Sequence, residues 1–179
     1  ITIFWFEHGW FWFIPLSDGA TSVGMVTWPY HMKTRGGREL MDFLLDNIHH
    51  CPPLAERLAG AQPATPAEAT GNYSYRSTLS HGAGFLLLGD AYAFIDPVFS
   101  SGVWLAMSSA EIGARTVDTC LREPARAAQA LRRFDRHMRH GPREFSWFIY
   151  RMTNPTMRGF FMDPHNPLRM KEALLSVLA

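Results

Sequence analysis

The stretch from Phe85 to Gly102 constrains the fold of this chain more than any other. It opens with four apolar residues, continues with Gly89-Asp90-Ala91, and ends in the loop Phe94-Ile-Asp-Pro-Val-Phe-Ser-Ser-Gly102. A short apolar run bounded by turn residues is typical of a strand that is buried on all sides. We therefore expect a buried strand over 85–88, then a tight turn, a loop and a helix.

The expected helix begins directly after the loop. From Val103 onward, apolar or small residues recur at helical spacing for about five turns. They occupy positions 103, 106, 107, 110, 113, 114, 117 and 121. Pro97 stiffens the loop, and Ser100, Ser101 and Gly102 fall where the first free amides of a helix point outward. Those amides favour an anion or an electron-rich ring edge, although simple N-capping by a serine accounts for the pattern equally.

The Gly89-Asp90 pair follows the predicted strand at the place where α/β sheets bind ligands. A carboxylate there can accept hydrogen bonds from sugar or ribityl hydroxyls, and glycine allows a close backbone approach. A plain turn, in which Asp90 caps the next segment, is the alternative.

Trp10-Phe-Trp12-Phe-Ile-Pro15 forms a second motif. Side chains two apart in a strand point to the same face, so Trp10 and Trp12 should present two indoles side by side. Core packing is the ordinary explanation of such a pair.

The remaining segments predict a mixture of strands and helices. Aromatic and β-branched runs separated by turns, among them Asp18-Gly19, predict an antiparallel meander. The predicted elements are strands at 1–7, 10–15, 21–28 and 72–79, helices at 37–49, 52–59, 125–150 and 167–178, and a loop at 60–70. The aromatic and Met-rich stretch from Phe145 to Met162 is interpreted as core packing or as the lining of a hydrophobic substrate pocket.

Composition narrows the class of protein. The chain has 179 residues, 47% hydrophobic and 18% charged, and a net charge of +1, so it can bury a core and gives no indication of a nucleic-acid partner. No apolar run is long enough for a membrane span. Cys51 and Cys120 lack metal-type spacing, and His137 and His140 lack a third ligand, so we expect a reduced, cytoplasmic protein without a metal. The apolar start, which reads as the middle of a strand, predicts a fragment of a longer protein.

The two motifs together resemble those of the flavin-dependent halogenases, within the FAD-dependent monooxygenase superfamily. The resemblance implies that Gly89, Asp90 and Ala91 contact FAD and that the loop from Pro97 lies against the flavin ring. It further implies that Ser100, Ser101 and Gly102 bind FAD and the halide, and that Trp10 and Trp12 wall the site.

The resemblance covers nearly the whole chain but only the latter half of the family's length. A Gly-x-Gly-x-x-Gly fingerprint is absent from the sequence. Lys33 and Lys171 both lie downstream of the tryptophan motif, so neither matches the lysine that the family places upstream of it. We therefore expect the chain alone to be inactive, to bind FAD weakly, and to self-associate or pair with a missing N-terminal half.

The resemblance implies an α+β fold for this chain and α/β for the complete protein. We expect part of a substrate-binding sheet domain at 1–84, the last strand and helix of an FAD domain at 85–122, and a helical segment at 123–179. The implied enzyme uses FADH2, O2 and chloride to halogenate a small aromatic or carrier-protein-bound substrate, and a flavin reductase supplies it. The alternatives are a flavin hydroxylase or isoprenoid-type reductase of the same fold, and a non-catalytic module that binds a hydrophobic partner.

Overall fold

A computed structural model describes residues 1–154 together with 156, 157, 159, 169 and 172. Helices and strands are both present, and the chain divides into two compact units between Gly71 and Asn72. The helix predicted over 167–178 lies outside the described residues except for Arg169 and Glu172, and the predicted three-part domain division stays a prediction.

The first unit is built on the antiparallel meander that the sequence predicts. Its strands are β1 (Thr2–Phe6), β2 (Gly9–Pro15) and β3 (Thr21–Thr27), and β2 lies in the middle. The helices that follow are α1 (Pro29–Lys33), α2 (Leu40–His49) and α3 (Pro52–Arg57). The sequence predicts α2 and α3 but not α1, a single helical turn that begins at a proline.

One face of the meander carries the core of this unit. Phe6 and Phe11 pack with Ile48, Cys51 and Leu54 from α2, α3 and the turn between them. Phe11 is fully buried. Because side chains alternate along β2, Trp10 and Trp12 lie on the opposite face from this core.

The second unit has longer helices and much shorter strands. Its strands are β4 (Tyr75–Arg76), β5 (His81–Gly82), β6 (Phe85–Leu86) and β7 (Ala93–Phe94), and its helices are α4 (Gly102–Arg122) and α5 (Ala127–Met152). β4 pairs with β7 and β5 with β6, all antiparallel. The predicted strand over 72–79 is therefore reduced to two residues, and the region 125–150 forms one helix.

The buried strand predicted over 85–88 is wrong. Only Phe85 and Leu86 are in a strand, which is the second arm of a hairpin, and Phe85 is 46% exposed. Gly84 makes the turn with a positive φ, and the Phe85 ring covers the space where Gly82 lacks a side chain. The run is apolar because Leu86, Leu87 and Leu88 pack against the core of the second unit, which contains Tyr92, Phe134 and Met138.

The buried face of α4 also differs from the prediction. Ser109, Gly113 and Thr116 are buried, whereas Val103, Met107, Val117 and Leu121 of the predicted apolar stripe are exposed. The small residues let the chain at 88–89 approach the helix closely: Leu88 lies where a Gly113 side chain would be. The close approach that the Ala- and Gly-rich stretch predicts does occur, but towards a loop and not a sheet.

Candidate functional site

The candidate residues of the second unit gather around the start of α4. Gly89, Asp90 and Ala91 form one 3-10 turn, and Pro97–Phe99 forms another immediately before the helix. Ser100 adopts the left-handed conformation with φ of 51°. Ser101 precedes α4, and Gly102 is its first residue.

Gly89 is fixed by contacts that no other residue could make there. Its φ is +50°, and a Cβ at this position would lie 2.9 Å from the Cβ of Ala106 in α4. Its amide donates to the Ser109 hydroxyl at 2.9 Å, and that hydroxyl donates to the Ala106 carbonyl at 2.8 Å. The glycine therefore joins the Gly-Asp turn to the first turns of the helix. The sequence reading missed Ser109 because its polar side chain falls outside the apolar pattern.

Asp90 presents a free carboxylate. The side chain is exposed, and within the described part of the chain it has no hydrogen-bond or ion-pair partner. Its backbone is held instead, because the Tyr75 hydroxyl donates to the Asp90 carbonyl at 2.6 Å. This is an accessible acceptor on a fixed backbone, which suits a ligand that carries hydroxyl groups.

The amides at the start of α4 are available to an acceptor. The Leu105 amide donates to the Ser101 carbonyl at 3.0 Å, which is the first hydrogen bond of the helix. The amides of Gly102, Val103 and Trp104 therefore lack partners inside the helix, and the positive end of the helix dipole lies at the same place. The Ser101 side chain makes no capping hydrogen bond. The arrangement can bind an anion or the oxygen atoms of a ring.

Asp96 holds the loop before the helix. Its carboxylate accepts a hydrogen bond from the Val98 amide at 2.9 Å. Burial raises the pKa of Asp96, and that hydrogen bond opposes the rise. Burial and, to a lesser extent, the charge of Asp96 raise the pKa of Tyr73 to about 12. The sequence quoted Asp96 within the motif but gave no signal of this pairing, which joins residues that are distant along the chain.

Aromatic rings from α5 lie beside the same loop. The rings of Phe99 and Phe148 are 5.1 Å apart between centroids, and those of Trp104 and Phe145 are 5.4 Å apart. The early part of the predicted aromatic stretch therefore packs against the loop and α4. Its part beyond 154 lies almost wholly outside the described residues.

The tryptophans of the first unit form a group of three indoles. The ring centroids of Trp10 and Trp12 are 6.2 Å apart, and Trp5, which faces Trp10 across the strands, is 6.4 Å from it. Trp10 is only 5% exposed. The side-by-side geometry predicted for Trp10 and Trp12 is confirmed, while their place in a site stays a prediction.

Gly24 and Ser22 set the position of Trp12. Gly24 faces Trp12 across β2 and β3, and a Cβ there would overlap the indole, at 2.0 Å from its nearest atom. The Trp12 indole N–H donates to the Ser22 hydroxyl at 3.1 Å. Alternation within β3 could have indicated Gly24, since a glycine inside a strand often marks a close approach.

The comparisons with known proteins agree with these motifs. Residues 4–172 match the family model for tryptophan halogenases. The chain belongs to this family. A flavin-dependent halogenase of Armillaria mellea is 35% identical over 136 residues, which are 69% of this chain and 26% of that protein.

Two further halogenases extend the match. The 1H-pyrrole-2-carbonyl-[peptidyl-carrier protein] chlorinase of Pseudomonas fluorescens is 28% identical over 92% of this chain and 37% of its own length. The solved structure of the myxobacterial chondrochloren halogenase CndH has a TM-score of 0.69 and 34% identity, covering 97% of this chain and 42% of that one. The chain thus spans about a quarter to two fifths of the length of these halogenases.

Two classes of site are not found in the part of the chain that the structure describes. No three His, Cys, Asp or Glu side chains lie close enough together to bind a metal ion. No described helix has the length and apolar character needed to cross a bilayer.

Proposed function

We propose that the chain is the C-terminal part of an FAD-dependent halogenase, which chlorinates an electron-rich aromatic or natural-product precursor. The observation that carries the proposal is the Gly89–Ala106 contact, which holds the Gly-Asp turn against the first turns of α4. The proposed reaction consumes reduced FAD, O2, chloride and a proton. It replaces an aromatic C–H bond by C–Cl and yields oxidised FAD and two waters.

The residues of the second unit fit a flavin and a halide. Asp90 would accept hydrogen bonds from the ribityl hydroxyls, and the turn at Gly89 to Ala91 would allow the cofactor a close approach. Pro97 would pack on the ring, and the amides near Ser100, Ser101 and Gly102 would hold the halide or a flavin oxygen. When bound, FAD supplies the oxidising chemistry that makes chloride electrophilic.

The other proposed features concern substrate and partners. The relative from Pseudomonas fluorescens is named for a pyrrole carried on a peptidyl carrier protein, and we propose a small aromatic substrate of this kind, free or carrier-bound. A flavin reductase would supply FADH2. The exposed apolar residues of α4, such as Met107 and Leu121, support the proposal that this chain alone binds FAD weakly and self-associates.

The test is a product assay on the complete protein that contains this chain. The protein is supplied with FAD, a flavin reductase, NADH, O2, chloride and a panel of phenols and pyrroles, free and carrier-bound. We expect products that show the isotope pattern of chlorine and that disappear when chloride is omitted. Hydroxylated products alone would identify a flavin hydroxylase and overturn the proposal.

A further inference from the structure

The second unit contains a cleft of about 1280 Å³ between α4, α5 and residues 76–78. It is separate from the turns around Gly89 and Gly102, none of which line it. Its walls are strongly cationic, with seven arginines and two histidines and no carboxylate among the lining residues. We call it the arginine cleft.

Three of these arginines are neutralised nearby. They pair with carboxylates on their own helices or at the start of α5, in the pairs Arg115–Glu111, Arg126–Glu123 and Arg139–Asp135, at 2.6 to 2.8 Å. The other four are Arg76, Arg133, Arg136 and Arg143. All four are exposed, and none has a hydrogen-bond or ion-pair partner among the residues that the structure describes.

The unpaired charges form a stripe along α5. Arg133, Arg136, His140 and Arg143 follow one another at intervals of three and four residues, so they share one face of the helix. From Arg133 to Arg143 the helix rises about 15 Å. Like charges at this spacing weaken a helix, and an anionic partner would reverse that effect. The stripe is too long for one phosphate group and matches an extended acidic surface.

We propose that the arginine cleft docks the acidic surface of a carrier protein that presents the substrate on its phosphopantetheine arm. The inference rests on the proposed function, specifically on a carrier-bound substrate. Guanidinium groups bind carboxylates and phosphodiesters through paired hydrogen bonds, and such a partner offers both groups. A row of separate arginines meets an acidic helix better than it meets a small anion.

The test measures binding of the 179-residue chain to a peptidyl carrier protein loaded with pyrrole-2-carboxylate, by fluorescence anisotropy at low salt. Arg133→Glu with Arg136→Glu should weaken binding at least about tenfold because like charges then face the carrier. Arg132→Glu is the matched control: it makes the same charge change on the same helix outside the cleft, and should change affinity less than about twofold. Added salt should weaken the parent complex more than that of the double variant.

Several results would overturn the docking proposal. These are no binding of the loaded carrier, equal losses in the double variant and the control, or an affinity for a single-stranded oligonucleotide that matches that for the carrier. Circular dichroism checks that the variants fold, and Arg136→Gln, which only removes a charge, should show a smaller loss in the same direction. Chlorination of free phenols by the complete protein, with no carrier binding, would sink this proposal alone. Carrier binding with only hydroxylated products would sink the halogenase proposal alone.

Discussion

The two units of the chain hold their candidate residues in different ways. In the first unit, seven-residue strands and a continuous core of Phe6, Phe11, Ile48 and Leu54 support the tryptophan face from behind. In the second unit the strands are two residues long, and the loop is held by single contacts such as Gly89 to Ala106 and Asp96 to Val98. The comparison teaches that the tryptophans depend on bulk packing, whereas the loop depends on a few exact fits.

Phe11→Ala should have the largest effect. The ring is fully buried beneath the sheet, so its removal leaves a cavity and should cost about 3–5 kcal/mol of unfolding free energy. Urea denaturation followed by circular dichroism measures the loss. Leu16→Ala, at an exposed position, is the control and should change little. A loss below about 1 kcal/mol would contradict a packing-dependent first unit.

Gly89→Ala tests whether the loop depends on a single fit. The new methyl group would be strained by the positive φ and would meet Ala106, so we expect a loss of about 2–3 kcal/mol. Gly84→Ala is the matched control, since its φ is also positive but the space around it is open. It should cost only about 1 kcal/mol, from backbone strain. Equal thermal midpoints for the two variants would show that the contact with Ala106 is unimportant.

Gly24→Ala asks the same question of the tryptophan face. The added methyl overlaps the Trp12 indole, which must move, and we expect a cost of about 1–2 kcal/mol with a shift in tryptophan fluorescence. Combining it with Trp12→Phe should restore most of the stability, because the smaller ring leaves room. Additive losses in the double variant would mean that Gly24 does not make room for Trp12.

Asp96→Asn should have the smallest effect on stability and the most specific effect on titration. Burial raises the folded-state pKa of Asp96, so its contribution to stability falls as the pH rises through the ordinary range of an aspartate towards the raised value. Asparagine keeps an acceptor for the Val98 amide and removes this dependence, with a gain at neutral pH that solvent screening keeps below about 0.5 kcal/mol.

The same variant reports on Tyr73. Loss of the Asp96 charge should lower the pKa of Tyr73 from about 12, but not to the ordinary value, since burial is the larger cause. Absorbance of tyrosinate against pH measures it, in difference spectra between the parent and the variant. An unchanged Tyr73 titration would show that the two groups are not coupled.

How far the sequence predicted this structure follows from the same contrast. The meander, its Asp18-Gly19 turn and the shared face of Trp10 and Trp12 depend on alternation between near neighbours, and all were predictable. The start of α4 at Gly102 was predictable from the proline and serines before it. The predictions failed for the run at 85–88 and for the buried face of α4, because both depend on packing between segments distant along the chain.

The candidate sites divide in the same way. The Gly-Asp turn and the loop to Gly102 were visible as motifs, and their roles stay predictions. The supporting contacts were not visible: Ser109 beneath Gly89, Tyr73 beside Asp96, and the arginines that α5 and β4 bring to one cleft. Local patterns thus located the loop, whereas tertiary contacts determine what holds it in place.

One measurement tests the central claim most directly. Residues 4–172 would replace the matching segment of the pyrrole-carrier chlorinase of Pseudomonas fluorescens, and the products formed from the pyrrole-loaded carrier would be analysed by mass spectrometry. The account predicts that the chimera binds FAD and chlorinates the pyrrole. A folded, FAD-bound chimera that oxidises reduced flavin without forming any chlorinated pyrrole would contradict it.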